Sequence, residues 1–280
     1  MFKNLTYKQV ITIINQYNTE GHSPLKVLAD DLNPYVLKFP KNKFDKVSIV
    51  KEFVCFYLLK CWSIATPDIA ALSVPGNLLK ECGFISNRDK RLIEGTVCFG
   101  SKLIPDAIEL MDFLAAQNTA AQKKIFNPED ILKIALFDLW VENEDRRPTN
   151  NNIILGTLNK GFVIYPIDHA FTFSTMSFSE LTHSSVNFSD NDSILHSPLA
   201  KSVLKKTGLK ADFRRKSEEM FYLCIENAKL FFPQIVSNIP VNLEFTNEDK
   251  VKLSDFLFNK ERNILVWQEF IYIANSILKS

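Results

Sequence analysis

From Ile131 to Val141 the chain reads Ile-Leu-Lys-Ile-Ala-Leu-Phe-Asp-Leu-Trp-Val, a helix that is apolar on nearly every side and has no broad face for water. Such a helix belongs in an interior and carries there the segment attached to its end. Its start is well marked. Asn127 can cap it, Pro128 suits the first helical position, and Glu129 and Asp130 complement the helix dipole. Just past its end lies a polar string, Asn143-Glu144-Asp145-Arg146-Arg147-Pro148-Thr149-Asn150-Asn151-Asn152. Two short strands, Ile153–Gly156 and Phe162–Tyr165, then form a hairpin with Thr157–Gly161 as its turn. Polar groups delivered to the middle of a molecule are candidates for chemistry.

Composition supports a folded interior. The 280 residues are 46% hydrophobic, with 23 Phe and only eight Gly, which excludes global disorder and suggests one large domain or two closely packed lobes. A formal net charge of +1 disfavours a dedicated nucleic-acid or acidic-lipid binder. The five Cys (Cys55, Cys61, Cys82, Cys98 and Cys224) are odd in number and contain no C-x-x-C pair, which speaks against a disulfide framework and a zinc site and for a reducing cytoplasm. None of the four His has metal-ligand spacing. Met1–Asn18 does not have the pattern of a signal peptide, and no later stretch has 18 uninterrupted apolar residues, so a cytoplasmic protein is expected.

The texture changes near residue 100, from α+β before it to mostly helical after it. Leu25–Leu28 and Tyr35–Phe39 are strand-like and flank Asp30-Asp31-Leu32-Asn33-Pro34, which carries turn chemistry, so a hairpin is expected. Lys46–Trp62 has helical spacing and is the one clear helix of this part; Leu92–Phe99 reads as a strand leading into Gly100-Ser101-Lys102, a hinge. Helices are expected at Pro105–Gln117, Pro198–Lys206, Asp212–Phe231 and Asp249–Lys279, the last broken near Asn259. Thr172–Pro198, rich in Ser, Thr, Asn and Asp, is a functional-loop candidate.

Asp145 and Asn150 lie five residues apart after the buried helix, and Asp168 comes after the second strand of the hairpin. Phosphoryl transfer needs these types: a carboxylate to orient and deprotonate a hydroxyl, and a second carboxylate with an amide to hold Mg²⁺. The string from Trp140 through Asn143-Glu144-Asp145-Arg146, Asn150-Asn151-Asn152 and Tyr165-Pro166-Ile167-Asp168-His169 resembles the catalytic region of HipA-like kinases and, more remotely, of phosphatidylinositol kinases. Gly21-His22-Ser23-Pro24 resembles their phosphate-covering loop, and Tyr35–Phe39 the strand of the nucleotide lysine. Cys98-Phe99-Gly100-Ser101 resembles the link between lobes.

The resemblance implies a two-lobed, α+β protein-kinase-like fold, with residues 1–102 as the small lobe, 103–280 as the helical lobe, and ATP with Mg²⁺ between them. It implies that Gly21, Ser23, Lys38, Phe99 and Gly100 meet ATP, with Glu52 pairing Lys38. Asp145 becomes the catalytic base beside Arg146, a charge-neutralising neighbour; Asn150 and Asp168 are the metal ligands, with Asn152 a second amide candidate. The implied activity is γ-phosphoryl transfer to a Ser/Thr hydroxyl on a protein substrate, as the toxin arm of a toxin–antitoxin pair with an antitoxin partner or as a stress regulator. The Thr172–Ser197 stretch stands where an activation segment would be autophosphorylated. Three departures stand out: Asp168 precedes His169-Ala170 where many kinases have Phe-Gly, the residue two past Asp145 is Arg147 where relatives often carry His or Thr, and Gly21 is the single glycine of its loop. The rival readings are another ATP-dependent transferase, acting on a lipid or small molecule or transferring a nucleotidyl group, and a non-catalytic pseudokinase.

Overall fold

Strands β1 (Tyr7–Gln16), β2 (Leu25–Ala29), β3 (Pro34–Lys38), β4 (Ile69–Ser73) and β5 (Cys98–Lys102) close into one small sheet in the order β1-β2-β3-β5-β4. All neighbours are antiparallel except β1 and β4, whose parallel pairing closes the ring. This is a computed structural model, and it describes residues 2–17, 23–42, 45–116, 123–173, 177–182 and 193–280. The alternation of β2 and β3 sends Leu25, Val27, Ala29, Tyr35 and Leu37 inward, where they meet Val10, Ala70, Leu72 and Cys98.

The β2–β3 hairpin forms as its turn residues predict. The Asp31 carboxylate gathers the amide and side chain of Asn33 at 3.2 and 3.0 Å, the Tyr35 hydroxyl at 3.0 Å and Lys8 Nζ at 2.9 Å. Burial alone would raise this carboxyl, but the Lys8, Asn33 and Tyr35 bonds outweigh it and hold it well below the usual carboxylate range. The turn thereby sets the register that ends β3 at Lys38, with Lys26 opposite Val36 and Leu25 opposite Leu37.

Helix α1 (Lys46–Cys61) matches the helix read from spacing, ending one residue short of Trp62. Between β4 and β5 the chain makes two helices that the sequence reading lacked, α2 (Gly76–Glu81) and α3 (Asn87–Ile93). Ser86 caps α3 by accepting from Asp89 N at 3.1 Å, so Leu92 and Ile93 finish a helix and the expected Leu92–Phe99 strand is confined to Cys98 and Phe99. The expected hinge is also strand. Gly100 pairs with Leu37 on one side and Ala70 on the other, and a Cβ there would come within 2.5 Å of Leu72 Cδ1. Glycine serves close packing at this position.

The chain divides into two units, one of Met1–Tyr57, Pro67–Ile104 and Pro233–Thr246, the other of Leu58–Thr66, Pro105–Phe232 and Asn247–Ser280. The second unit contains β6 (Ile108–Glu109) and α4 (Leu110–Ala116), where one helix from Pro105 was expected. Its centre is α5 (Asp130–Val141), buried from Ile131 to Val141 apart from Lys133. Asn127 and Pro128 form a turn ahead of this helix, their carbonyls accepting from Asp130 and Ile131 at 3.0 and 3.3 Å. Trp62 packs on it, 5.3 Å from both Phe137 and Trp140 and 5.8 Å from Phe221.

Strands β7 (Ile153–Leu158) and β8 (Gly161–Pro166) are longer than read, because the turn is only Asn159-Lys160, with Asn159 left-handed at φ 54°. β6 pairs with β7 to complete a three-stranded sheet. The remaining helices are α6 (Pro198–Thr207), α7 (Ala211–Ser237), α8 (Asn247–Phe258) and α9 (Lys260–Lys279). The break expected near Asn259 is present, and Asn259 caps α9 by accepting from Arg262 N at 2.8 Å. All five Cys are free and buried, with burial pushing the Cys61 and Cys98 thiols up to about 12. No helix among the described residues is long and apolar enough to cross a membrane.

Asp31→Asn removes the anion that fixes the hairpin turn and is expected to cost about 1–2 kcal/mol at pH 7. A depressed carboxylate stabilises above its unfolded pKa of about 3.9 and loses that contribution as pH falls through its lower folded value. The difference in denaturant midpoint between wild type and Asp31→Asn should therefore shrink steadily below about pH 4.

Candidate active site

Helix α5 ends at Glu142, which turns left-handed at φ 46° and releases the chain into an irregular loop. The three consecutive asparagines of this loop are not equivalent. Asn150 Nδ2 donates to Asp145 Oδ1 at 3.1 Å and Asn152 Nδ2 donates to Oδ2 at 2.9 Å, so each carboxylate oxygen is held by one amide. Asn151 instead ties the loop to itself, donating to the carbonyls of Arg147 and Pro148 at 2.7 and 2.8 Å. Asp145 remains half-buried and Asn150 exposed, so the carboxylate is fixed in direction yet reachable.

Arg146 sits elsewhere than beside the Asp145 carboxylate. Its side chain is fully buried, and Nε meets the Asp138 carboxylate of α5 at 2.9 Å. Nη1 donates to the carbonyls of Asn152 and Ile167 at 2.5 and 3.0 Å, and Nη2 to His169 Nε2 at 2.9 Å. One guanidinium thus joins the buried helix, the asparagine loop and the segment that carries Asp168. Burial raises the Asp138 carboxyl, opposed by the Arg146 guanidinium, His169 and the Asn143 amide, which donates to Asp138 Oδ1 at 3.1 Å. Asp138 is a structural acid: Oδ1 accepts from Asn143 and Arg146, while among the described residues Oδ2 has only the ion-pair contact with Arg146 and no hydrogen bond of its own.

Asp168 lies two residues past β8 in the left-handed region, φ 60°, a conformation that Asp tolerates. Ile167 N donates to Asn152 O at 2.9 Å, which sets Asp168 beside the residue whose amide holds Asp145. The Asp168 carboxylate and the side-chain oxygens of Asn150 and Asn152 are hard donors of the kind Mg²⁺ takes together with substrate phosphates. No group of three or more His, Cys, Asp or Glu that could hold a metal occurs among the described residues.

The first unit holds a different set. Lys38 from β3 and Glu52 from α1 form an ion pair at 2.6 Å, with Glu52 2% and Lys38 12% exposed in their side chains. Ser23, Lys38, Lys41, Arg88 and Asp89 line a pocket of about 140 Å³ beside it. Gly21 lies outside the described residues. Phe99 is buried, 5.0 Å from the Phe53 ring, and both Phe99 and Gly100 sit in β5, paired with β3 on one side and β4 on the other. Their backbone groups serve the sheet, and the first residues past β5 are Leu103 and Ile104. The sequence-derived candidates therefore group as Ser23, Lys38 and Glu52 in one unit and Asp145, Arg146, Asn150 and Asp168 in the other.

Two elements escaped the sequence reading. Lys41 and Arg88 join the Lys38 pocket only through folding. Arg262 of α9 is fully buried, donating to Trp140 O at 2.8 Å and Glu142 Oε1 at 3.2 Å, with its Cζ 3.6 Å from the Phe256 ring centre. Burial pulls this guanidinium down to about 10, and Glu142 opposes the fall. The signal was available: Arg262 shares a helical face with the buried Val266 and Phe270.

The family model for HipA-like kinases matches residues 10–269. Among solved structures, the crystal structure of the Helicobacter pylori proinflammatory kinase CtkA is similar in fold, with a TM-score of 0.54 at 12% sequence identity, covering 99% of this chain and 100% of that one. No curated protein matches in sequence.

Removing Asp138 leaves the Arg146 charge buried without its carboxylate, so Asp138→Ala should destabilise the protein by about 3–5 kcal/mol in denaturant titrations. The double variant Asp138→Leu with Arg146→Met removes both charges and should recover part of that loss, the Asn152 and Ile167 carbonyls and His169 being left without their donor. Equal instability in single and double variants would show that the pair does not compensate itself.

Proposed function

The chain belongs to the HipA-like kinase family, and on that premise we propose that it transfers the γ-phosphoryl group of ATP to a Ser/Thr hydroxyl on a protein. The observation that carries the reading is the Asp145 carboxylate, held on both oxygens by Asn150 and Asn152 while Asn152 is joined through its carbonyl to the Asp168 segment. A general base must be fixed in direction and accessible to its proton donor. The geometry around Asp145 meets both needs, and its neighbours supply donors suited to a metal.

In this reading the first unit binds phosphates, with Lys38 as their cation and Glu52 fixing its direction through their 2.6 Å bond. In the second unit Asp145 accepts the proton of the acceptor hydroxyl as the acceptor oxygen bonds to the γ-phosphorus and the bridging bond to ADP breaks. Magnesium, when bound, neutralises the phosphate charge, and Asp168 with an asparagine amide would hold it. Arg146 is a positioning residue, acting through Asp138, the Asn152 and Ile167 carbonyls and His169. A role as the toxin of a toxin–antitoxin pair, with an antitoxin as partner, belongs to the same proposal, as does a cytoplasmic setting. Of the Ser/Thr-rich stretch proposed for autophosphorylation, residues 174–176 and 183–192 lie outside the described residues.

Asp145→Ala should lower phosphoryl transfer by at least about a hundredfold while leaving the unfolding transition and most ATP affinity in place. Asp168→Ala should remove the magnesium dependence of nucleotide binding, read by calorimetry with and without the metal. Transfer at the wild-type rate by the Asp145 variant, measured with γ-labelled ATP and a cell lysate as acceptor, would refute the assignment.

A further inference from the structure

Kinase-like folds generally cover nucleotide phosphates with the backbone N–H groups of a glycine-rich loop. Between Tyr17 and Pro24 this chain has one glycine, Gly21. The pocket beside Lys38 offers side-chain cations. Lys41, three residues past Lys38, and Arg88, from the first turn of α3, line the same pocket of about 140 Å³ as Ser23 and Lys38. Arg88 Nη2 donates to Lys41 O at 3.1 Å, a bond that ties α3 to the segment after β3 and brings the two cations onto one wall. Helix α3 therefore brings charge to a site that β3 alone would leave with one lysine.

The formal charges on the lining are +1 each for Lys38, Lys41 and Arg88 and −1 for Asp89, and with Glu52 paired to Lys38 at 2.6 Å the site carries a net of +1. Such a wall selects a polyanion over a neutral ligand, and a guanidinium can grip phosphate oxygens in bidentate fashion. Arg88 is exposed and so able to turn onto a ligand. We propose that Lys41 and Arg88 are phosphate ligands for the nucleoside triphosphate, adding side-chain cations to a site whose loop has a single glycine. The identity of the ligand as ATP rests on the kinase reading; the polyphosphate site rests on the pocket.

The test compares full-length wild type with Arg88→Ala, Lys41→Ala and Asp89→Asn by calorimetry, using ATP with magnesium, inorganic tripolyphosphate and adenosine as probes. The two cation variants should each weaken ATP and tripolyphosphate roughly tenfold and leave adenosine unchanged. Asp89→Asn should tighten both anions about two- to fivefold, an effect that a folding defect does not produce. Wild-type affinity for tripolyphosphate in both cation variants overturns the proposal. If wild type transfers phosphate while both variants keep its KM for ATP, the two ligands fail and the kinase reading stands. If tripolyphosphate binding depends on Arg88 in a protein that shows no transfer, the site stands and the kinase reading fails. A wild type that binds neither ATP nor tripolyphosphate overturns both.

Discussion

The organisation of the second unit depends on one buried ion pair, Arg146 with Asp138, 2.9 Å apart and cut off from water. A guanidinium in an apolar interior is costly unless its charge and its donors are met. Here they are met by four parts of the chain: the Asp138 side chain of α5, the carbonyl of Asn152, the carbonyl of Ile167 and the ring of His169. The pair is therefore less a source of net stability than a constraint. The asparagine loop and the Asp168 segment cannot separate without stranding a buried charge.

A second buried pair works at the other end of the loop. Arg262 of α9 holds Glu142 and the Trp140 carbonyl, so the residue where α5 stops is tied to the C-terminal helix. Glu142, Asn152 and Asp168 are all left-handed, at φ 46°, 45° and 60°. Asn and Asp accept that conformation at little cost, whereas Glu does not. Glu142 is held there by its buried bond to Arg262. Loop residues held in sparsely populated conformations by surrounding bonds are a feature of sites that must keep their geometry.

The first unit solves a different problem. Its closed sheet presents Lys38 at the end of β3, and α1 supplies Glu52 as the buried partner. Asp31 touches neither of them, yet it stands at the turn that sets the register of β3. By gathering Lys8, Asn33 and Tyr35 it determines how the strand arrives. The cations of the adjoining pocket come from three places, β3, the segment after it and α3.

Much of this was legible in the sequence. The β2–β3 hairpin, α1, the buried α5, the β7–β8 hairpin and the break at Asn259 arise from local patterns: alternation, helical spacing, turn residues and caps. Asp145, Asn150 and Asp168 stood out because a buried helix that empties into a run of polar groups must either pair them or use them. Strand β1 was hidden, because irregularities between Val10 and Thr12 and between Ile13 and Asn15 break the alternation that marks a strand. The Leu92–Phe99 reading failed because Ser86 starts a helix that β-branched neighbours disguise. The partners of Arg146 and the placing of Lys41 and Arg88 in one pocket were decided by tertiary structure. A charged side chain has one identity in the sequence but takes its role from its surroundings, and burial and long-range partners are set only when distant segments pack.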